Sequence, residues 1–155
     1  MTEQEIHAIC KKYNIQNYSI NLDGSIDVDG NVVISDIVLG NVKSPNIIEK
    51  IPLKFNKVNR SFYCNHNELT SLYDCPKEVG GYFDCCYNKL TSLEGSPIKV
   101  GGRFLCFSNE LTSLEGYNGN YTNLLCGNKK KLVEIDIIDR KKKNRKQKLK
   151  ILEKL

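Results

Sequence analysis

A block of 21 residues recurs three times in the middle of the chain and constrains its fold more than any other feature. The aligned positions carry valine, phenylalanine, cysteine, asparagine and two leucines. They are Val58, Val79 and Val100; Phe62, Phe83 and Phe104; Cys64, Cys85 and Cys106; Asn67, Asn88 and Asn109; Leu69, Leu90 and Leu111; and Leu72, Leu93 and Leu114. A period in the range of roughly 20 to 50 residues is typical of repeat proteins, in which each unit buries its apolar face against its neighbours. We therefore predict a repeat solenoid.

Within each repeat a phenylalanine is followed two positions later by a cysteine, as in Phe62 and Cys64. Strand side chains alternate between faces, so both residues should point inward and stack on their equivalents in neighbouring repeats. The asparagine that follows can pair with backbone groups of adjacent turns. Gly80-Gly81 and Gly101-Gly102 permit a sharp bend that a Cβ would obstruct. The pattern predicts a short parallel strand in each repeat.

The line F-x-C-x-x-N-x-L-T-S-L resembles the leucine-rich repeat, which has the form L-x-L-x-x-N-x-L-x-x-L. Phenylalanine and cysteine replace two leucines, and a Gly-Gly or Asn-Arg pair stands where another leucine would begin the strand. The version with LTSLEG and VGG is similar to small repeat proteins of tailed phages and other large DNA viruses. The resemblance covers about residues 17 to 138. It implies a leucine-rich-repeat-like solenoid with its strands on the concave face.

The segment before the repeats has the pattern of a cap. Thr2 and Glu5 have the spacing of a capping box, which predicts the start of a short helix. The apolar residues Ile6, Ile9, Cys10 and Tyr13 would lie on one face of that helix. Residues 18–22 and 26–28 alternate in polarity around Asp23-Gly24, which predicts a hairpin.

Three segments follow from these patterns. Residues 1–50 are expected to form a helix, a hairpin and a degenerate capping coil. Ile48 and Ile51 lie 21 residues before the repeat leucines Leu69 and Leu72 and have the same phase. The segment from about Gly40 to Asn46 is expected to be an insertion. Residues 51–138 are expected to form the solenoid, with a last coil displaced by one residue at Leu125-Cys126 and ending near residues 132–135. Residues 139–155 are expected to be a basic helix or tail.

If the phenylalanines and cysteines point inward, the alternate positions form a grid on the opposite face of the strands. The grid consists of Ser61, Tyr63, Asn65, Tyr82, Asp84, Cys86, Arg103, Leu105 and Phe107. Aromatic residues and arginine are common interface anchors, although tyrosine and phenylalanine also have high strand propensity. We predict that Tyr63, Asn65, Tyr82, Asp84, Arg103, Leu105 and Phe107 bind a protein partner.

The seven cysteines could in principle form disulfides, bind metal or sense oxidation. Their number is odd, no pair has C-x-x-C spacing, and His7 and His66 are the only histidines. Thiols at inward strand positions behave as small hydrophobic groups, so a core role is expected. Cys86 alternates outward from Cys85 and is expected to be an exposed thiol.

Other residues with catalytic or metal-binding chemistry have simpler interpretations. An inward Cys64 would not face His66, as a nucleophile must face its base. Asp23, Asp27 and Asp29 lack the distal acidic ligand of an EF-hand loop and fit turn and strand positions. We therefore expect a protein that is not an enzyme, with no cofactor, no metal and no small-molecule ligand.

The basic charge is concentrated at the C-terminal end. Residues 129–155 contain twelve lysines and arginines against four acidic residues, a net +8, so the rest of the chain carries −3 within the total of +5. The residues proposed to contact a polyanion are Arg140, Lys141, Lys142, Lys143, Arg145, Lys146 and Lys148. Such a block can bind nucleic acid, while Leu149, Leu152 and Leu155 also suit a helix docked on a protein or on the last coil.

The function most consistent with these patterns is binding of a protein on the concave strand face. The viral resemblance implies a phage-encoded modulator of a host protein. Nucleic-acid binding through the basic segment is the alternative, and a structural component of a virion is a third interpretation. A membrane-spanning helix needs about 18 consecutive apolar residues, and no stretch of the sequence approaches this length. The N-terminus has no export signal. We expect a cytoplasmic protein, in a bacterial host if it is phage-encoded, with no membrane partner.

Overall fold

The computed structural model describes residues 1–34, 47–117 and 123–127, together with Lys141 and Asn144. The described residues up to 127 contain one α-helix and ten short strands. The helix α1 spans Glu3–Lys12. The strands are β1 (Tyr18–Ile20), β2 (Ile26–Val28), β3 (Val32–Val33), β4 (Phe55–Val58), β5 (Phe62–Tyr63), β6 (Glu78–Val79), β7 (Phe83–Asp84), β8 (Lys99–Val100), β9 (Phe104–Leu105) and β10 (Leu124–Leu125).

The N-terminal helix begins where the capping pattern predicts. The Thr2 N–H donates to Glu5 Oε2 at 2.7 Å, and the Glu5 N–H donates to Thr2 Oγ1 at 3.3 Å. This reciprocal pair satisfies two of the N–H groups that a helix start leaves without intrahelical partners. The helix buries Ile6 and Cys10 against the core. The predicted capping helix is confirmed.

The predicted hairpin is also confirmed. Strands β1 and β2 pair antiparallel, with Tyr18 opposite Val28. Gly24, in the turn, has a φ of 74°, a conformation that glycine adopts without steric cost. The other edge of β2 pairs in parallel with β4, so that Val28 lies beside Val58. The hairpin therefore begins the sheet that the repeats continue.

The strands form two five-stranded sheets, in which every pair except β1 and β2 is parallel. Sheet A has the order β1-β2-β4-β6-β8, and sheet B has the order β3-β5-β7-β9-β10. Each of the three aligned repeats supplies one strand to each sheet and pairs at equivalent positions, as in Val79 with Val100 and Phe83 with Phe104. The short parallel strands are confirmed, whereas the second strand of each repeat was not anticipated.

The glycine pairs lie at the corner between the two sheets. A Cβ built on Gly80 would overlap the carbonyl oxygen of Asn59, and one on Gly101 would overlap the carbonyl oxygen of Gly80. Neither glycine has a positive φ. Glycine is required here because the backbones of consecutive repeats approach closely, which refines the bend predicted from sequence.

The phenylalanines and cysteines of the repeats fill the interior. Phe62 and Phe83 stack with ring centroids 5.8 Å apart, and Phe83 lies 4.9 Å from Phe104. Full burial of such a side chain contributes about 1.5–3 kcal/mol. The cysteines beside them are buried and unoxidised, so all seven in the chain are free thiols. The inward orientation predicted for Cys64, Cys85 and Cys106 is confirmed.

The repeat asparagines join consecutive repeats through their side chains. Asn88 Oδ1 accepts the Leu69 N–H at 2.9 Å, and Asn88 Nδ2 donates to the carbonyl oxygens of Cys64 at 3.0 Å and Cys85 at 3.1 Å. Asn67 and Asn109 repeat the arrangement one step before and one step after. We call this series the asparagine ladder. It satisfies buried backbone groups that the strands leave unpaired.

The period changes at both ends of the array. Val32 pairs with Phe62 across 30 residues, nine more than one repeat. The Ile48 N–H donates to the side chain of Asn67, just as the Leu69 N–H donates to that of Asn88, so the predicted phase of Ile48 is confirmed.

The predicted insertion at Gly40 to Asn46 lies outside the described residues. Leu124 pairs with Phe104 after 20 residues, the one-residue displacement expected there.

Most of the C-terminal end lies outside the described residues. This applies to residues 132–135 and to the predicted basic segment 139–155, except that Lys141 and Asn144 are helical and exposed. Within the part of the chain that is described, no helix is long and apolar enough to cross a membrane.

We expect Asn88→Ala to lower the free energy of unfolding by about 3 kcal/mol, because the buried Leu69 N–H and Cys64 carbonyl would lose a partner. Urea denaturation followed by circular dichroism measures the change. Thr91→Ala, at an exposed position of the same repeat, is the matched control and should change stability by less than about 0.5 kcal/mol. Equal losses in the two variants would contradict a structural role for the ladder.

Gly80→Ala should destabilise the protein by about 1–3 kcal/mol, because the added methyl group meets the Asn59 backbone. Gly30→Ala is the control, since a Cβ there has no atom within 4 Å. Thermal unfolding of both variants tests the expectation. A Gly80→Ala protein that melts with the control would show that consecutive repeats can separate at this corner at little cost.

Candidate binding site on the outer face of sheet B

The outward side chains of sheet B form a continuous surface. The middle row follows the strand order of the sheet and consists of Val33, Tyr63, Asp84, Leu105 and Leu125. Ser61, Tyr82 and Arg103 precede this row by two residues, and Asn65, Cys86 and Phe107 follow it by two. We call these eleven residues face B. Cross-strand neighbours lie about 4.8 Å apart, so side chains in one row can contact a common partner.

Face B presents several large apolar groups to solvent. Tyr82 is 47% exposed, Phe107 is 40% exposed and Val33 is 48% exposed. Tyr63 and Leu105 are half-buried. A group of exposed apolar side chains on one sheet face is a feature of interaction sites, whereas isolated ones are normal on any surface.

The structure places the predicted partner-binding residues on this one face. Register pairs Tyr63 with Asp84 and Asp84 with Leu105. Tyr82 and Arg103 occupy equivalent positions one residue before the paired strands, and both are exposed. The remaining predicted residues, Asn65 and Phe107, occupy equivalent positions after the strands.

Cys86 is buried, so the prediction from sequence that its thiol is exposed is wrong. Its side chain is only 6% exposed, and its Sγ accepts the Phe107 N–H at 3.2 Å. Burial, followed by a hydrogen bond to Asp84, raises the pKa of Cys86 to about 12. Ser61 is also buried, and its Oγ accepts the Tyr82 N–H at 3.0 Å. Both small side chains therefore form the floor of face B between larger neighbours.

Sequence reasoning missed Val33 and Leu125, which extend the middle row at both ends. Their strands are displaced from the 21-residue period, so alignment of the repeats does not reveal them. The alternation of Val32 and Ile34 around Val33 matches that of Phe62 and Cys64 and could have indicated the first of them.

The outer face of sheet A has a different composition. Asp27 lies beside Lys57, Lys57 beside Glu78, and Glu78 beside Lys99. The four side chains alternate in charge across the sheet, an arrangement in which each cross-strand pair contributes about 0.2–1 kcal/mol. This face alternates in charge by register, without an ion pair between these four side chains, whereas face B has a largely apolar surface.

The buried thiols of the core are poor candidates for chemistry. Burial raises the pKa values of Cys75 and Cys85, and a hydrogen bond to Cys126 together with burial raises that of Cys106. A raised pKa keeps a thiol protonated and therefore unreactive as a nucleophile or metal ligand. Among the described residues, no group of three or more His, Cys, Asp or Glu side chains could hold a metal ion.

The other residues weighed for catalysis or calcium have structural partners. Cys64 is fully buried, whereas the His66 ring stacks on Tyr87 with centroids 4.2 Å apart. Lys54 Nζ lies 2.7 Å from Asp23 Oδ2, and this contact holds the pKa of Asp23 well below its ordinary value. Asp27 accepts a hydrogen bond from Asn56 at 2.8 Å. These contacts do not bring the aspartates together as a ligand set.

The basic residues proposed for nucleic-acid contact lie almost entirely outside the described residues. Lys141 is helical and exposed. The others, Arg140, Lys142, Lys143, Arg145, Lys146 and Lys148, are not among the described residues.

The chain matches no model of a protein family, no curated protein and no solved structure with which it was compared. The resemblance to leucine-rich repeats therefore stays a prediction from the repeat motif.

We expect the native protein to react slowly with a thiol reagent such as dithiobis-nitrobenzoate. A thiol with a pKa of about 12 has roughly one thiolate in 10⁵ molecules at pH 7. All seven cysteines should react once the chain is unfolded in urea. Cys86→Ser should leave the slow native rate unchanged, so one fast thiol that this substitution removes would contradict the burial of Cys86.

Proposed function

We propose that the chain is a short leucine-rich-repeat-like solenoid that binds a protein partner through face B and has no enzymatic activity. The observation that carries the proposal is the difference between the two outer sheet faces. Sheet A presents the alternating charges of Asp27, Lys57, Glu78 and Lys99, whereas face B presents aromatic and aliphatic groups.

Physical arguments favour face B as the surface that is covered by the partner. Exposed Tyr82 and Phe107 each offer a large apolar area that water covers unfavourably. Arg103 lies beside Tyr82 in the same row and adds a planar donor of the kind enriched in interface anchors. Packing in the core determines which residues occupy the inward positions of the same strands. The residues at the outward positions are not constrained in this way and can vary to suit a partner.

The similarity of the repeat motif to small repeat proteins of tailed phages and large DNA viruses leads us to propose a host protein as the partner. The chain would then act as a phage-encoded modulator in the cytoplasm of the infected cell. This step rests on the motif alone.

Nucleic-acid binding through residues 139–155 is the second candidate. It is supported by the net charge of +8 in residues 129–155. Binding by phosphate contacts would weaken steeply between about 50 and 200 mM salt, because condensed counterions are released. Retention of nucleic acid that is independent of salt would count against this candidate.

A pull-down from a nuclease-treated lysate of the host cell tests the first proposal. The tagged baits are the full chain, a version ending at Asp139 and the double variant Tyr82→Ser/Phe107→Ser. We expect one protein to be retained by the first two baits and lost from the third, because the third lacks the exposed aromatic groups.

The matched control is Lys57→Ser/Glu78→Ser, which alters two exposed residues of sheet A. It should retain the partner as the unaltered chain does. Equal retention by the face B variant and the control, with both folded by circular dichroism, would exclude face B. Loss of every partner on removal of residues 140–155 would favour the basic segment instead.

A further inference from the structure

A single acidic side chain lies near the centre of face B. Asp84 is half-buried in the middle row, between Tyr63 on one neighbouring strand and Leu105 on the other. Its Oδ1 accepts the Cys86 N–H at 2.9 Å, which fixes the carboxylate over the floor of the face.

Asp84 forms no ion pair with another described residue. The ion pairs among the described residues are Lys54 with Asp23 and Lys89 with Glu68. Arg103 is on the same face, but it lies in the neighbouring row and is exposed to solvent. The negative charge of Asp84 is therefore balanced by solvent and by its hydrogen bonds to Cys86.

This environment restricts what can cover face B. A partner that displaced water from Asp84 without supplying a positive charge would leave a carboxylate desolvated between apolar neighbours, which is strongly unfavourable. A lysine or arginine side chain would remove that cost through a charge-assisted hydrogen bond. Its methylene groups could pack on Tyr63 and Leu105, and the aromatic rings of the face attract a cation.

The dimensions of the face suit a peptide segment. Five strands spaced by about 4.8 Å extend roughly 19 Å along the stack. An extended segment rises about 3.3 Å per residue, so about six residues would cross the face. Face B is therefore wide enough for one segment of a partner to place a basic residue at Asp84 and apolar residues on either side.

We propose that face B binds a peptide segment of its protein partner that places a lysine or arginine side chain on Asp84 between apolar contacts. The inference rests on the proposed function of face B and adds the chemical character of the partner. Arg103 stays at the exposed side of the contact and is not part of the proposed pair.

The test is a selection of peptides from a random twelve-residue library displayed on phage, with the full chain as the immobilised target. The selected peptides are synthesised, and their dissociation constants are measured by fluorescence anisotropy. Four variants are compared: Asp84→Asn, Tyr82→Ser, Phe107→Ser and Glu78→Gln. Asp84→Asn keeps an oxygen for the Cys86 N–H, removes the charge and replaces the second carboxylate oxygen by an NH2 group of similar size. Glu78→Gln removes an exposed acidic charge from sheet A and is its matched control.

We expect the selected peptides to share a lysine or arginine flanked by apolar residues. Asp84→Asn should weaken their binding about tenfold or more, and Glu78→Gln should change it less than about twofold. Replacing the shared basic residue of a peptide by norleucine should weaken binding to the unaltered chain and have little effect on Asp84→Asn. This coupling separates a direct pair from a general effect of charge.

The outcomes distinguish the inference from the function on which it rests. Peptides that depend on Tyr82 and Phe107 but not on Asp84, or that lack a shared basic residue, would overturn the inference and leave face B as the binding surface. Selected peptides that are insensitive to all three face B variants would overturn both. A failure to select any peptide would overturn the inference, and the pull-down with the Tyr82→Ser/Phe107→Ser bait would then decide the proposed function separately. Thermal unfolding of each variant confirms that the protein compared is folded.

Discussion

The asparagine ladder is the interaction on which the register of the whole array depends. Each amide accepts an N–H from the preceding repeat and donates to carbonyl oxygens of the preceding repeat and its own, as Asn88 does with Leu69, Cys64 and Cys85. Because both ends of the amide are used, a slip of one residue would leave several buried polar groups unpaired at once. The ladder thus aligns residues that are one sequence period apart at equivalent positions in consecutive repeats.

Once the register is fixed, close stacking determines the residues at the other interior positions. Equivalent residues in adjacent parallel strands lie about 4.8 Å apart, so a column of phenylalanines such as Phe83 and Phe104 must tilt or stack. The cysteine two positions later fills a narrower column without adding a polar group that needs a partner. At the corner, Gly80 and Gly101 allow the backbones of consecutive repeats to approach. The cysteines are therefore explained by volume and polarity, and redox chemistry is not needed.

The sequence was informative wherever one local rule determined the structure. The capping pair at Thr2 and Glu5, the first hairpin and the inward columns of the repeats were all predictable from spacing. The second strand of each repeat was not. In β6 and β8 it has only two residues, such as Glu78 and Val79, which show no alternation to detect. The burial of Cys86 could not be predicted, because alternation gives the direction of a side chain but not the size of its neighbours. A small group on an outer face can be covered by larger ones.

The two outer faces show where information about function can reside in such a chain. Inward residues are constrained by the ladder and by stacking, so they report on the fold and are nearly the same in every repeat. Outward residues are free to differ, and on sheet A the oppositely charged Lys57 and Glu78 occupy paired positions on neighbouring strands. On face B, Asp84 has no such counter-ion among the described residues, and its neighbours Tyr63 and Leu105 are apolar. A row of alternating charges offers a partner little apolar area, whereas a carboxylate set among apolar groups gains most when a partner supplies a cation.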